Sequence, residues 1–157
     1  MIGVLFLCTG NICRSPMAHG IFNHLVREAG LHNQLFADSA GIDSYEAGQP
    51  THSGTTNILK KHGILFSKRA RLLTEHDGAT FHYLIGMTED HLRALQRIRL
   101  IANNPSAEVA LLLDYAPQLG IREVPDPYYN GKFEECYTLV NAGVRGLLAA
   151  IRRKHNL

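Results

Sequence analysis

Near the start of the chain, Cys8 and Arg14 stand with five residues between them, after an apolar run and before a helix signal. Ile2 to Leu7 is a short apolar stretch that ends abruptly in small and polar residues, the pattern of a buried parallel strand. Ser15 and Pro16 read as a helix start, with a hydroxyl at the N-cap and proline in the first turn. The loop between, Cys8-Thr9-Gly10-Asn11-Ile12-Cys13-Arg14, is able to aim several backbone N–H groups at one centre. The helix N-terminus behind it adds positive potential. Such a loop is an anion cradle with a thiol at its floor and a guanidinium at its rim. A phosphoryl group fits it.

Each residue has a chemical and a plain reading. Cys8, beside a helix N-terminus and a guanidinium, is favoured as thiolate. A thiolate attacks phosphorus to give a phosphocysteine, splitting hydrolysis into two easier steps. The plain alternative is an inert cysteine at a strand end. The preceding strand, the helix start and Gly10, which gives the backbone freedom, favour chemistry. Arg14 can hold two phosphoryl oxygens with its planar fork and stabilise the charge that spreads over them during transfer. The first turn of a helix is otherwise a poor place for a cation. Ser15 can cap the helix and also donate to the thiolate when it becomes the leaving group. A leaving alkoxide or phenoxide needs a proton, and Asp126, fixed between Pro125 and Pro127, is the best candidate acid. The same carboxyl would take a proton from water in the second step. Taken alone, Asp126 reads as turn chemistry.

These residues need a scaffold, and the chain supplies alternating strands and helices. Met17, Ile21, Phe22, Leu25 and Val26 recur at helical spacing up to Gly30. Leu35 to Ala40 is a second strand, Thr51 to His62 a helix ending at Gly63, and residues 64 to 80 are read as irregular. His82 to Met87 is a third strand, Glu89 to Ala102 a charged amphipathic helix, and Glu108 to Leu113 a fourth strand. A long loop, Tyr115 to Lys132, precedes a final helix from Phe133 to Arg153. Its inner face carries Cys136, Leu139, Val140, Val144, Leu147, Leu148 and Ile151. The pattern predicts one α/β domain over residues 1–157 with a parallel sheet and right-handed crossovers. Ligands bind outside the carboxyl ends of strands in such sheets, and Cys8 directly follows Leu7.

Composition narrows the classes. A net charge of +2, without a basic stripe interleaved with aromatics, argues against a nucleic-acid partner. No apolar run is long enough to span a bilayer. Leu5-Phe6-Leu7-Cys8 lacks the basic flank and small residue of a lipoprotein cleavage site, so an unprocessed soluble chain is expected. Three cysteines at irregular spacing make no disulfide framework and point to a reducing cytoplasm. Nine histidines include no i,i+4 pair; His19 and His24 do not share a helix face, and no metal site or cofactor is expected.

Cys8-Thr9-Gly10-Asn11-Ile12-Cys13-Arg14-Ser15-Pro16, together with Asp126-Pro127-Tyr128-Tyr129, resembles the low-molecular-weight protein tyrosine phosphatase family. Further matches are Asp38-Ser39-Ala40-Gly41, Lys61-His62-Gly63-Ile64 and Ala70-Arg71, so the resemblance runs through nearly the whole chain. It implies a three-layer α/β/α sandwich with a four-stranded parallel sheet and a phosphate-binding loop between the first strand and first helix. It assigns Cys8 as nucleophile, Arg14 as phosphoryl clamp and Asp126 as general acid and base. The remaining loop residues, Thr9, Gly10, Asn11, Ile12, Cys13 and Ser15, would bind the substrate. Asn11 would hold the loop in a left-handed conformation, which asparagine tolerates, with Ser15 and Ser39 in the supporting network. Tyr45, Tyr128 and Tyr129 would wall a slot deep enough for a phosphotyrosine ring. The implied partners are phosphotyrosine-containing proteins, and the implied state is a monomer or weak dimer. Cys13 matches a second loop cysteine of many members, either trapping oxidised Cys8 as a reversible disulfide or simply packing. Cys136 reads as core.

Two positions depart from the family pattern. Lys68 stands where members often carry histidine, so a different network around Asn11 is expected. Thr88 stands after Met87 where many have aspartate, which removes a carboxylate near the site. Neither touches the nucleophile, clamp or acid. A thioredoxin-coupled arsenate reductase shares this fold and loop but needs two further cysteines near the third strand, and residues 66 to 100 hold none. A phosphocysteine carrier would need neither Arg14 nor Asp126. A non-catalytic phosphate-binding module would need neither the thiol nor the acid.

Overall fold

A computed structural model describes residues 1–157. Four strands form one parallel sheet: β1 (Ile2–Cys8), β2 (Leu35–Gly41), β3 (Tyr83–Gly86) and β4 (Glu108–Leu111), in the order β2-β1-β3-β4. The register runs from Ile2 opposite Leu35 to Cys8 opposite Gly41, and Leu7 lies opposite Gly86 on the other side. Six helices connect and follow the strands: α1 (Arg14–Glu28), α2 (Ser53–Lys61), α3 (Glu75–Thr80), α4 (Glu89–Ile101), α5 (Pro127–Asn130) and α6 (Phe133–His155).

The period of two in β1 divides the molecule into its layers. Val4, Phe6 and Cys8 point into the larger core, with α1 residues such as Met17 and Phe22 and α6 residues such as Val140 and Leu147. Leu5 and Leu7 point the other way, to Phe81, Leu84 and Leu95. Both faces are covered, so β1 reads as a continuous apolar run rather than an alternation. Chain order reverses at β1, with β2 on one side and β3 on the other. The loops leaving β1 and β3 therefore part at their carboxyl ends, opening the crevice in which α/β sheets hold ligands.

Several sequence boundaries shift. α1 begins at Arg14 with Cys13 at the N-cap position, so Ser15 is inside the first turn and does not cap it; its hydroxyl is engaged with Cys8 instead. Residues 64 to 80, expected to be irregular, contain α3, started by a capping box in which Thr74 and Asp77 satisfy each other's backbone N–H groups. Acidic Asp77 at that third position is the signal that apolar periodicity overlooks in so short a helix. The fourth strand stops at Leu111 and tightens into a 3-10 turn over Leu112–Tyr115. The long loop to Lys132 holds another such turn, Pro117–Leu119, and α5.

α6 packs against that 3-10 turn at Gly146, where an added Cβ would be driven into the Tyr115 carbonyl. Backbone cannot yield as a flexible side chain does. Gly146→Ala is expected to cost about 2 kcal/mol and to lower Tm by roughly 4–8 °C in a thermal melt. An unchanged Tm would contradict this close approach.

Candidate active site

The loop after β1 closes around the Cys8 sulfur. Asn11 N–H points at Cys8 Sγ from 3.3 Å, and Ser15 Oγ lies 2.9 Å from the same sulfur. Asn11 holds the loop in this shape from a left-handed backbone, φ 57°. Its Nδ2 donates to Ser15 Oγ (2.8 Å) and Ser39 Oγ (3.1 Å), while its Oδ1 accepts from Arg71 N–H at 3.1 Å. Its side chain is fully buried with both ends engaged, so the surroundings hold a backbone state that an L-residue otherwise avoids. Because Asn11 Nδ2 donates to Ser15 Oγ, the serine proton is left for the sulfur at 2.9 Å or the Ala40 carbonyl at 3.4 Å.

Behind Asn11 lies a charged network. Lys68 Nζ donates to the Ser39 carbonyl (2.5 Å) and Ser39 Oγ (3.2 Å) and pairs with Asp38 at 3.4 Å. Arg71 bridges Asp38 and Asp77. Lys68 thus supports the Asn11 network through Ser39, and it does so with an ammonium rather than a ring. Burial pushes the Lys68 ammonium down, against the pull of Asp38. Although burial works the other way, the Ser39 N–H bond, Lys68 and Arg71 hold the Asp38 carboxyl below its ordinary range.

Arg14 is almost fully buried and aimed by three bonds. Nη1 donates to the Val124 carbonyl at 2.9 Å; Nη2 reaches Asp126 Oδ2 at 3.3 Å and Thr9 Oγ1 at 3.4 Å. Asp126 caps α5, its Oδ1 accepting from Tyr128 N–H at 3.1 Å. Pro127 starts that helix. The flanking prolines and the cap leave Oδ2 facing the loop across the cleft.

Between them is a cleft of about 490 Å³, open to solvent, whose floor holds Cys8 and Arg14 and whose walls include Ile12, Tyr45, Asp126 and Tyr128. Thr9, Gly10 and Cys13 also line it, with Asp43 and Glu46 at its edge. Asn11, Ser15 and Ser39 are fully buried behind the loop. Tyr129 is not among the lining residues; its ring meets Tyr128 edge to face at 5.1 Å and is 83% exposed. The three cysteines are unpaired and buried. Burial, then nearby Cys8, pushes the Cys13 thiol far up, which keeps it protonated. Burial likewise raises Cys136, to about 12.

Sequence reading missed two histidines, having weighed them only as metal ligands. His19 Nδ1 lies 3.1 Å from Ser39 Oγ, and His91, in the first turn of α4, reaches Thr9. The signal for His91 was its place three residues after Thr88, where a side chain folds back on a helix start. Burial lowers His19, partly opposed by Asp38, and burial with Arg14 lowers His91 to about 3. Both are neutral in the fold and return to about 6.5 when unfolded. Below that pH the unfolded chain binds more protons, so stability falls as pH drops from about 6.5 toward the folded values. Urea unfolding should show a loss on the order of 1–2 kcal/mol per histidine between pH 6.5 and 5. A midpoint that holds steady over this range would show that both are charged in the fold.

An anion cradle closed over a cysteine sulfur, with a guanidinium and a carboxyl across its mouth, is the class of site this fold presents. The family model of the low molecular weight phosphotyrosine protein phosphatase matches residues 3–157, and the chain belongs to that family. It is 42% identical to the low molecular weight protein-tyrosine-phosphatase YfkJ of Bacillus subtilis, over the whole of both chains. The YfkJ crystal structure superposes with TM-score 0.89, covering 98% of this chain and 96% of that one. The Homo sapiens low molecular weight phosphotyrosine protein phosphatase is 38% identical over 97% of this chain and 95% of its own. The crystal structure of a Drosophila arginine phosphatase superposes with TM-score 0.88 at 28% identity, over 97% of this chain and 98% of that one.

Proposed function

We propose that this chain, acting as a single domain, hydrolyses phosphotyrosine in proteins through a phosphocysteine intermediate. The observation that carries this reading is the set of donors on Cys8 Sγ, facing a cleft across which Arg14 meets Asp126. Cys8 attacks phosphorus as thiolate; the S–P bond forms as the P–O bond to the tyrosine breaks. Arg14 binds the equatorial oxygens, whose charge is spread in a loose transition state. Asp126 gives its proton to the departing phenolic oxygen. Water then attacks the phosphocysteine and hands a proton to Asp126, and the S–P bond breaks to return the thiolate. Ser15 donates to that sulfur as it leaves. Family membership and the likeness to the phosphatases above support the reaction.

Ile12, Tyr45 and Tyr128 suit a flat aryl ring better than an alkyl chain, which is the basis for tyrosine as the side chain attacked. No helix is long and apolar enough to cross a membrane, and three unpaired cysteines fit a cytoplasmic setting, with phosphotyrosine-containing proteins as partners and a monomer or weak dimer as the working state. The test compares matched peptides bearing phosphotyrosine, phosphoserine and phosphoarginine, with chelator and reductant present. Phosphotyrosine should lead in kcat/KM by at least about 10-fold, the discrimination a shaped apolar pocket supplies. Faster release from phosphoarginine would move this chain's substrate to that of its Drosophila neighbour.

A further inference from the structure

Beside the cradle, a residue at the start of the helix after β3 reaches the loop leaving β1, and it has no part in the scheme above. His91 is buried at the start of α4, 1% exposed. Its Nδ1 faces two backbone donors, Met87 N–H at 3.2 Å and Thr88 N–H at 3.1 Å, with the Thr88 hydroxyl at 3.3 Å. That nitrogen therefore accepts, and in a neutral ring the proton sits on Nε2. Nε2 lies 3.0 Å from Thr9 Oγ1 and donates to it. Arg14 Nη2 donates to the same oxygen at 3.4 Å.

A hydroxyl has two lone pairs and one proton. On Thr9 both lone pairs are taken, and neither partner can accept, so the O–H is left to point elsewhere. Thr9 lines the cleft above Cys8. The orientation is imposed from behind, by a ring whose own tautomer is locked by backbone.

We propose that His91 is a positioning residue that sets the Thr9 hydroxyl as a fixed donor to the transferring phosphoryl group, adding a side-chain member to the clamp of Arg14 and loop N–H groups. This rests on the phosphatase reading and deepens it.

Asparagine at position 91 preserves an acceptor for the two backbone N–H groups but is too short to reach Thr9. The variants are therefore Thr9→Val, Thr9→Ser, His91→Asn and the Thr9→Val/His91→Asn double. Two quantities are read: kcat/KM for 4-nitrophenyl phosphate, and the Kd for inorganic phosphate by calorimetry. A hydrogen bond to a charged oxygen is worth about 10-fold or more. Thr9→Val and His91→Asn should each lose about that in kcat/KM and weaken phosphate in the same direction. Thr9→Ser, which keeps the hydroxyl, should recover most of what Thr9→Val loses, and the double variant should be no worse than either single one. Full activity in Thr9→Val, or losses that multiply in the double, would overturn the proposal. If His91→Asn does not fold, the Val and Ser pair at exposed Thr9 decides the matter. If the wild type binds phosphate without turnover, the phosphatase reading fails, and the Kd series still reports whether Thr9 and His91 hold the anion.

Discussion

Cys8→Ser should lose turnover of aryl phosphates and phosphotyrosine peptides by roughly 10⁴-fold or more, the scale on which removal of a covalent nucleophile is felt. Serine is close to isosteric, and the donors that surround Sγ, from Asn11 N–H and Ser15, would find an oxygen in its place. The cradle should therefore survive and bind phosphate. What disappears is reactivity, because a neutral hydroxyl in this site has no neighbouring base to take its proton. Ser15 Oγ already accepts from Asn11, and the Asp126 carboxyl across the cleft is engaged with Arg14. Steady-state rates beside a phosphate-binding titration separate the two effects. Residual turnover within a few-fold of wild type would remove Cys8 from the mechanism.

Asp126→Ala carries the second largest expected loss, roughly 10²-fold or more in kcat, the usual contribution of a general acid. The loss should depend on the leaving group. A substrate whose phenolate departs easily needs little help from a proton, so the loss there should shrink; with poor leaving groups, tyrosine among them, it should be full. Arg14 keeps its Val124 and Thr9 bonds when Asp126 is removed, so KM should change much less than kcat. A uniform loss across leaving groups would mean that Asp126 acts by holding Arg14 rather than by giving a proton.

The scaffold and the chemistry were legible in the sequence to different depths. β1, α1 and the final helix announced themselves because long periodic segments with clear stops leave little choice. α3 did not, since six residues held by a Thr74–Asp77 capping box carry almost no apolar period. Cys8, Arg14 and Asp126 stood out as candidates because residue type, spacing and flanking prolines suggest one task, and the fold brings all three to one cleft. The Ser15 cap was misplaced by two residues: a serine before a proline looks like a helix boundary, while the true boundary at Cys13 is set by where the cradle ends. His91, His19 and the Val124 carbonyl were invisible as site members for a different reason. His91 and Val124 reach the loop from distant segments, 82 residues away in the case of His91 and Thr9, and His19 meets the network only through Ser39 on β2, so the pairing of β1 with its neighbours in the sheet had to be known first. Lys68 was noticed as a departure, but its bonds to Ser39 depended on how the segment after α2 lies along β2, where Gly41 and Leu72 form a bridge.

Rapid-quench reaction of the purified protein with a phosphotyrosine peptide, followed by mass mapping of the phosphorylated residue, goes most directly to the central claim. A transient phosphoryl group on Cys8, absent in Cys8→Ser and longer-lived in Asp126→Ala, is the predicted result. Hydrolysis at full rate with no phosphoenzyme, or with the phosphoryl group on another residue, would contradict it.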